Sequence, residues 1–171
     1  MSIMETNWYV AYTKSCQERK VSEALTALGV EHFLPLQKIL VQYSDRRKLV
    51  ERLVLPHMIF LRTDEVSRIR LLGEIYGLCS YMTCGGAFHP VIIPERQMDD
   101  FRFMVTRSRE KVAVVGERLA PGDRVRVVNG PLSGLEAELV EVNGEKSLSV
   151  KMGVLGTAYA TISPDSVEKI I

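Results

Sequence analysis

The chain has 171 residues, enough for one domain, or for two if both are small. Its 46% hydrophobic and 25% charged residues are the ordinary balance of a soluble globular protein, and with no signal peptide or long apolar run to be read in it, neither secretion nor membrane insertion is expected. The formal charge of +1 hides a split: residues 1–115 carry sixteen Lys and Arg against thirteen Asp and Glu, and residues 116–171 carry six against eight. A mildly basic first part and an acidic second part fit a nucleic-acid-facing half and a protein-facing half. Cys16, Cys79 and Cys84 are odd in number and lack framework spacing, which favours a reducing, cytoplasmic setting.

Trp8 to Tyr12, aromatic and β-branched, predicts a strand. Ser15 and Glu18 have the spacing of a capping box, and Val21, Ala24, Leu25 and Leu28 form the apolar stripe of the helix it would start. Gly29 stops that helix. Two longer strands follow, about Glu31 to Tyr43 and Val50 to Arg62, joined at a hairpin tip whose Arg46, Arg47 and Lys48 are three consecutive cations. Thr63 or Asp64 caps a second helix with Val66, Ile69 and Leu72 facing inward. A strand from Leu78 to Cys84 turns at Gly85-Gly86. Pro94 then opens a helix to about Ser108, with Met98, Phe101 and Met104 or Val105 on one side. The order β-α-β-β-α-β-α predicts an antiparallel sheet with helices mostly on one face.

Residues 107–118 read as a linker with charged flanks, leaving domains 1–108 and 119–171 with 109–118 between them. Beyond it, Pro121-Gly122 is a turn pair, and Arg124 to Val127 alternate as a strand with one buried face. Asn129-Gly130-Pro131 ends the strand, and Gly134 leads back into extended chain. This strand-loop-strand unit resembles a KOW motif, and Glu136 to Ile171 resembles the rest of its five-stranded SH3-like barrel.

Trp8-Tyr9-Val10, the basic helix start, Leu55-Pro56-His57-Met58-Ile59-Phe60-Leu61 and the KOW unit together resemble the NusG family of transcription elongation factors. The resemblance implies an α+β NGN domain with an antiparallel sheet, followed by an all-β KOW barrel. The helix between Cys16 and Leu28 and the Leu34-Pro35 after it are similar to the operon-restricted, RfaH-type paralogues, and most to the UpxY antiterminators of capsular polysaccharide operons. Two departures stand out. The family's Pro-Gly-Tyr is here Pro56-His57-Met58, and its usual Phe-Gly-Arg loop is Leu155-Gly156-Thr157, which argues against binding of termination factor Rho through the KOW domain.

The segment Leu53 to Leu61 is apolar on both parities: Leu53, Ile59 and Leu61 on one, Val54, Met58 and Phe60 on the other. Either it is buried on both sides within the chain, or one face is a patch that a partner covers. The resemblance implies the second, docking on the clamp helices of the largest RNA polymerase subunit through Tyr12, Leu55, Met58, Phe60, Met98 and Phe101. Lys14, Arg19 and Lys20 cluster about a helix start, where cations and backbone amides attract phosphate. A solvated helix face is the alternative, and the resemblance favours contact with the non-template DNA strand. Arg46, Arg47 and Lys48 reach upstream DNA or keep a hairpin edge soluble.

Cys84 and His89 supply a thiol and an imidazole in one stretch, but no third orienting group is indicated, so an enzyme is not expected. The histidines have no metal spacing with the cysteines, and neither metal nor cofactor is expected. A ribosome-associated KOW protein that binds RNA or protein is the alternative reading, and a ribosomal protein is a further candidate partner of the KOW domain within the first.

Overall fold

The computed structural model describes residues 4–83, 88–115, 122–142, 144–152, 155–163 and 166–170. In chain order the elements begin with β1 (Asn7–Thr13), α1 (Glu18–Ala27), β2 (Glu31–Phe33), β3 (Leu36–Gln42) and β4 (Arg47–Leu53). Next come β5 (Met58–Thr63), α2 (Glu65–Glu74), β6 (Leu78–Tyr81), β7 (Ile92–Ile93) and α3 (Glu95–Arg107). The chain closes with β8 (Ala113–Val115), β9 (Asp123–Val127), β10 (Glu136–Val142), β11 (Glu145–Lys151), β12 (Thr157–Thr161) and β13 (Val167–Lys169). Two compact units result, Met1–Pro35 with Leu55–Met98, and Leu36–Val54 with Asp99–Ile171.

The first unit is built on an antiparallel sheet in the order β2-β5-β1-β6, with β7 also paired to β1. Tyr9 and Ala11 of β1 and Ile59 and Leu61 of β5 share one face with Val21 and Leu25 of α1 and with Leu71, Ile75, Leu78 and Tyr81. Each fully buried valine, leucine or isoleucine among them contributes about 1.5–3 kcal/mol relative to exposure. α1 ends as its sequence predicts. Gly29 takes φ +69°, its N–H donates to the Thr26 carbonyl, and the Val30 N–H reaches back to Leu25. Leu28, expected in the stripe, is exposed.

Three further expectations change. The two long strands each break in two, at Leu34-Pro35 and at Val54 to His57, because a proline has no N–H for a ladder. The capping box does not form: the N-cap is Gln17 without a side-chain cap, and Glu18 is buried with another partner. On α2, Val66 and Ile69 are exposed, while Leu71 and Ile75 take the core side and Leu72 packs partly against it. Asp64 does cap α2, its carboxylate accepting the Ser67 N–H at 2.9 Å.

In the second unit β3 and β4 form a separate two-stranded ribbon. The other sheet is antiparallel in the order β13-β9-β10-β11-β12-β8. Its five strands β9 to β13 are those expected of the KOW unit, with Val125 and Val127 buried and Arg124 and Arg126 exposed. β8, from the stretch expected to be linker, adds a sixth strand along β12. Gly122 is needed for close approach: a Cβ there would stand 1.8 Å from the Leu139 carbonyl oxygen. Pro121 and Gly85-Gly86 lie outside the described residues.

Candidate functional site

The apolar candidates separate into two groups. Met58 lies directly across from Tyr12, and both are partly buried. Leu55, also partly buried, stands in the turn before β5. Phe60, Met98 and Phe101 correct the expectation of one exposed patch, because all three side chains are fully buried. Phe60 is flanked by Val10 on β1 and by Phe33 on β2, whose ring lies 6.5 Å away. Trp8 and Val10, on the same side of the sheet, are buried too. Both faces of β5 are therefore core at Phe60.

The turn that leads into Met58 is held from α1. His57 has φ +64°, a left-handed conformation that non-glycine residues seldom adopt. Its N–H donates to Glu18 Oε1 at 3.0 Å, its Nδ1 lies 3.5 Å from the same oxygen, and its carbonyl accepts the Thr13 N–H at 2.8 Å. Glu18 is only 5% exposed. Where the family pattern has glycine, this chain puts a histidine and secures it with a buried carboxylate.

Lys14, Arg19 and Lys20 are all exposed, as expected. The Lys14 N–H donates to the Gly77 carbonyl at 2.8 Å, and its ammonium sits 4.5 Å from the centroid of the Tyr76 ring. Tyr76 is 76% exposed. Sequence reasoning misses it; the only signal is an aromatic beside a glycine just past a helix end. An exposed ring next to a cation offers a nucleic acid a stacking surface and a phosphate partner together.

The second basic group is on the hairpin. Tyr43 donates its N–H to the Arg46 carbonyl at 2.8 Å, so Arg46 is at the tip. Arg47 and Lys48 are already on β4, which corrects the expectation of three cations at the tip. Successive strand residues point to opposite faces, so these two diverge. Arg47 Nε donates to Gln42 Oε1 at 2.8 Å, Lys48 stands across from Val41, and all three cations are exposed.

At the start of α2, Ser67 donates both its N–H and its hydroxyl to Asp64. These bonds hold the Asp64 carboxyl below its usual range. Arg68 pairs with Glu65 through two hydrogen bonds and lies over the rings of Tyr9 and Tyr81, at 5.5 and 5.2 Å. That pairing lowers the Glu65 pKa and raises that of Arg68, while burial raises the Tyr81 phenol. Ser67 and Arg68 are thus committed within their own fold. Cys84, half of the weighed Cys84–His89 pair, lies outside the described residues; Cys16 and Cys79 are exposed free thiols. Among the described residues no helix is long and apolar enough to cross a membrane.

A family model described as transcription termination factor nusG matches residues 6–102, more than half of the chain. The chain belongs to the NusG family. A KOW motif model matches residues 121–151, so the two NusG modules follow in their expected order. The transcription termination/antitermination protein NusG of Lactococcus lactis is 27% identical over 90% of this chain and 87% of that protein. NusG of Treponema pallidum is 23% identical over 98% and 97%. A solved structure concerned with domain interaction in Thermotoga maritima NusG covers 98% of both chains at 19% identity with a TM-score of 0.51, a likeness of fold. This chain is a NusG-type transcription termination/antitermination factor, not an enzyme.

Proposed function

We propose that this NusG-type factor binds RNA polymerase at the clamp helices of the largest subunit, holds the DNA channel closed and suppresses pausing or termination. The observation that carries the proposal is the pairing of a NusG match over residues 6–102 with a KOW match over 121–151 in one chain. The partly exposed Tyr12, Leu55 and Met58 support a docking surface smaller than the sequence implies, steadied by the His57 turn. Lys14, Lys20 and Tyr76 support contact with the non-template strand, and Arg46, Arg47 and Lys48 a second DNA contact at the hairpin. Work on polymerase carries a cytoplasmic location with it.

Within the family we place the chain with the operon-restricted, RfaH- and UpxY-like factors, acting on polysaccharide operons. His57-Met58 and Leu155-Gly156-Thr157, where housekeeping members have Gly-Tyr and Phe-Gly-Arg, support this finer reading.

The test is co-purification from cells with a run-through assay on a reconstituted elongation complex. RNA polymerase in the eluate and increased read-through are expected. Ribosomes alone would move the chain to the ribosome-associated reading. A genome-wide occupancy map then decides the finer point: signal confined to a few operons supports restriction, and signal over all transcribed genes refutes it.

A further inference from the structure

Residues 108–115 connect α3 to the C-terminal sheet, and two side chains at the base of the β3–β4 ribbon hold them. Gln37 is 1% exposed and uses its whole amide. Its Nε2 donates to the carbonyls of Ser108, at 3.4 Å, and Glu110, at 2.6 Å. Its Oε1 accepts the Val112 N–H at 2.9 Å and Arg52 Nη1 at 3.1 Å. Arg52 stands directly across from Gln37 and also donates to the Val112 carbonyl at 2.9 Å. Immediately downstream, β8 pairs with Thr157 to Tyr159 of β12.

We propose that residues 108–115 are a latched strap: Gln37 and Arg52 are the latch, and its closure keeps β8 on the edge of β12. Two observations point this way. A buried glutamine that makes three of its four hydrogen bonds to one short backbone stretch specifies that stretch, because any other position would leave most of a buried amide unpaired. At its start the strap is incompletely packed: an open pocket of about 190 Å³ is lined by Ser108–Glu110 together with Asn129, Leu132, Thr161 and Ser163. Besides the buried Val112 and the three residue pairs of β8, polar bonds from the ribbon hold it. A three-residue strand is a weak edge, so opening the latch releases β8 and leaves β12 as an unpaired sheet edge open to another strand. The ribbon base thereby controls whether that edge is covered. The inference is independent of what the hairpin tip or the NGN sheet binds.

Amide hydrogen exchange on the intact chain, resolved by NMR, tests it. In the wild type the Val112 amide should be protected, and exchange there at the rate of an unfolded chain would end the proposal at once. In Gln37→Leu, Val112 and the β8 amides should exchange at least about tenfold faster, the factor that loss of hydrogen bonds of ordinary strength gives. Amides of β1 should not change, and limited proteolysis should move to residues 108–115. Unchanged exchange and cleavage in the strap would overturn the latch. Should Gln37→Leu lower the melting temperature of the whole chain, Arg52→Gln decides, since it keeps Gln37 and removes only the second arm. Faster exchange confined to the strap supports the proposal; no acceleration there refutes it.

Discussion

At the scale of single residues, His57 and Glu18 form a matched pair. A non-glycine side chain at positive φ costs about 1–2 kcal/mol, and the buried Glu18 carboxylate offsets this by accepting the His57 N–H. Glu18→Ala leaves that N–H without its partner and should destabilise by about 1–3 kcal/mol in urea unfolding. His57→Gly loses the side-chain pairing with Glu18 but relieves the backbone, so its stability should stay within about 1 kcal/mol of wild type. A large loss with His57→Gly and none with Glu18→Ala would show that the side chain, not the turn, is what matters. The basic residues predict a different quantity. Lys14→Ala with Lys20→Ala should leave the melt unchanged, since both side chains are exposed. The salt slope of DNA binding should fall by about one unit for each phosphate that these lysines neutralise in the wild type. Tyr76→Ala should weaken binding to single strands with little change in that slope, as removal of a stacking ring does. An unchanged slope in the double lysine variant would make those lysines ordinary surface charge.

Elements are legible where the sequence supplies both a period and a stop. α1 has Val21 and Leu25 one turn apart and Gly29 after them, and α3 has Pro94 before it and Met98, Phe101, Met104 and Val105 on a buried side. α2 is misread from spacing because Val66, Ile69, Leu71, Leu72 and Ile75 spread over more than one face, so periodicity alone does not choose the buried one. The long hairpin strands are shorter than their sequence implies because apolar residues continue through Leu34-Pro35 and Leu55-Pro56, where missing donors end the ladder. The apolar patch proposed for docking is smaller than its sequence implies for a related reason. Apolar residues on both parities of a strand look alike whether a partner or the chain itself covers them, and at Phe60 it is the chain. The start of α2 carries a prediction about pH. Asp64 and Glu65 both have folded pKa values below their ordinary ones, through Ser67 and Arg68 respectively. Their stabilisation is therefore complete above the ordinary carboxylate pKa of about 4 and is lost as pH falls through the lower folded values. Asp64→Asn keeps an acceptor for the Ser67 N–H and removes one titrating group. Its unfolding midpoint should fall less than that of wild type as pH is lowered from about 4 through the folded values. An equal fall in both proteins would locate the acid sensitivity elsewhere.

For the whole molecule, the order of modules is more legible than any surface on them, because turn chemistry and strand alternation mark a module while exposure depends on every neighbour. The functional prediction turns on that difference. Met58 and Phe60 are two residues apart on one strand and point to the same side, yet Phe60 is fully buried and Met58, across from Tyr12, is only partly so. If polymerase docks here, Met58→Asp places a carboxylate in a dry contact at a cost of several kcal/mol unless it is paired. Each ~1.4 kcal/mol is a factor of ten in affinity, so even part of that penalty removes a micromolar interaction. Phe60→Asp meets the same penalty inside the chain and should unfold it. The two variants therefore belong in one experiment, with a thermal melt, an elongation-complex pull-down and a run-through assay on a pause or terminator. Met58→Asp should melt near wild type, fail the pull-down and lose read-through, while Phe60→Asp should collapse in the melt. If Met58→Asp also collapses, Met58 belongs to the core with Phe60, and the docking surface reduces to Tyr12 and Leu55. If it stays folded and still promotes read-through, polymerase binds another face of the first unit.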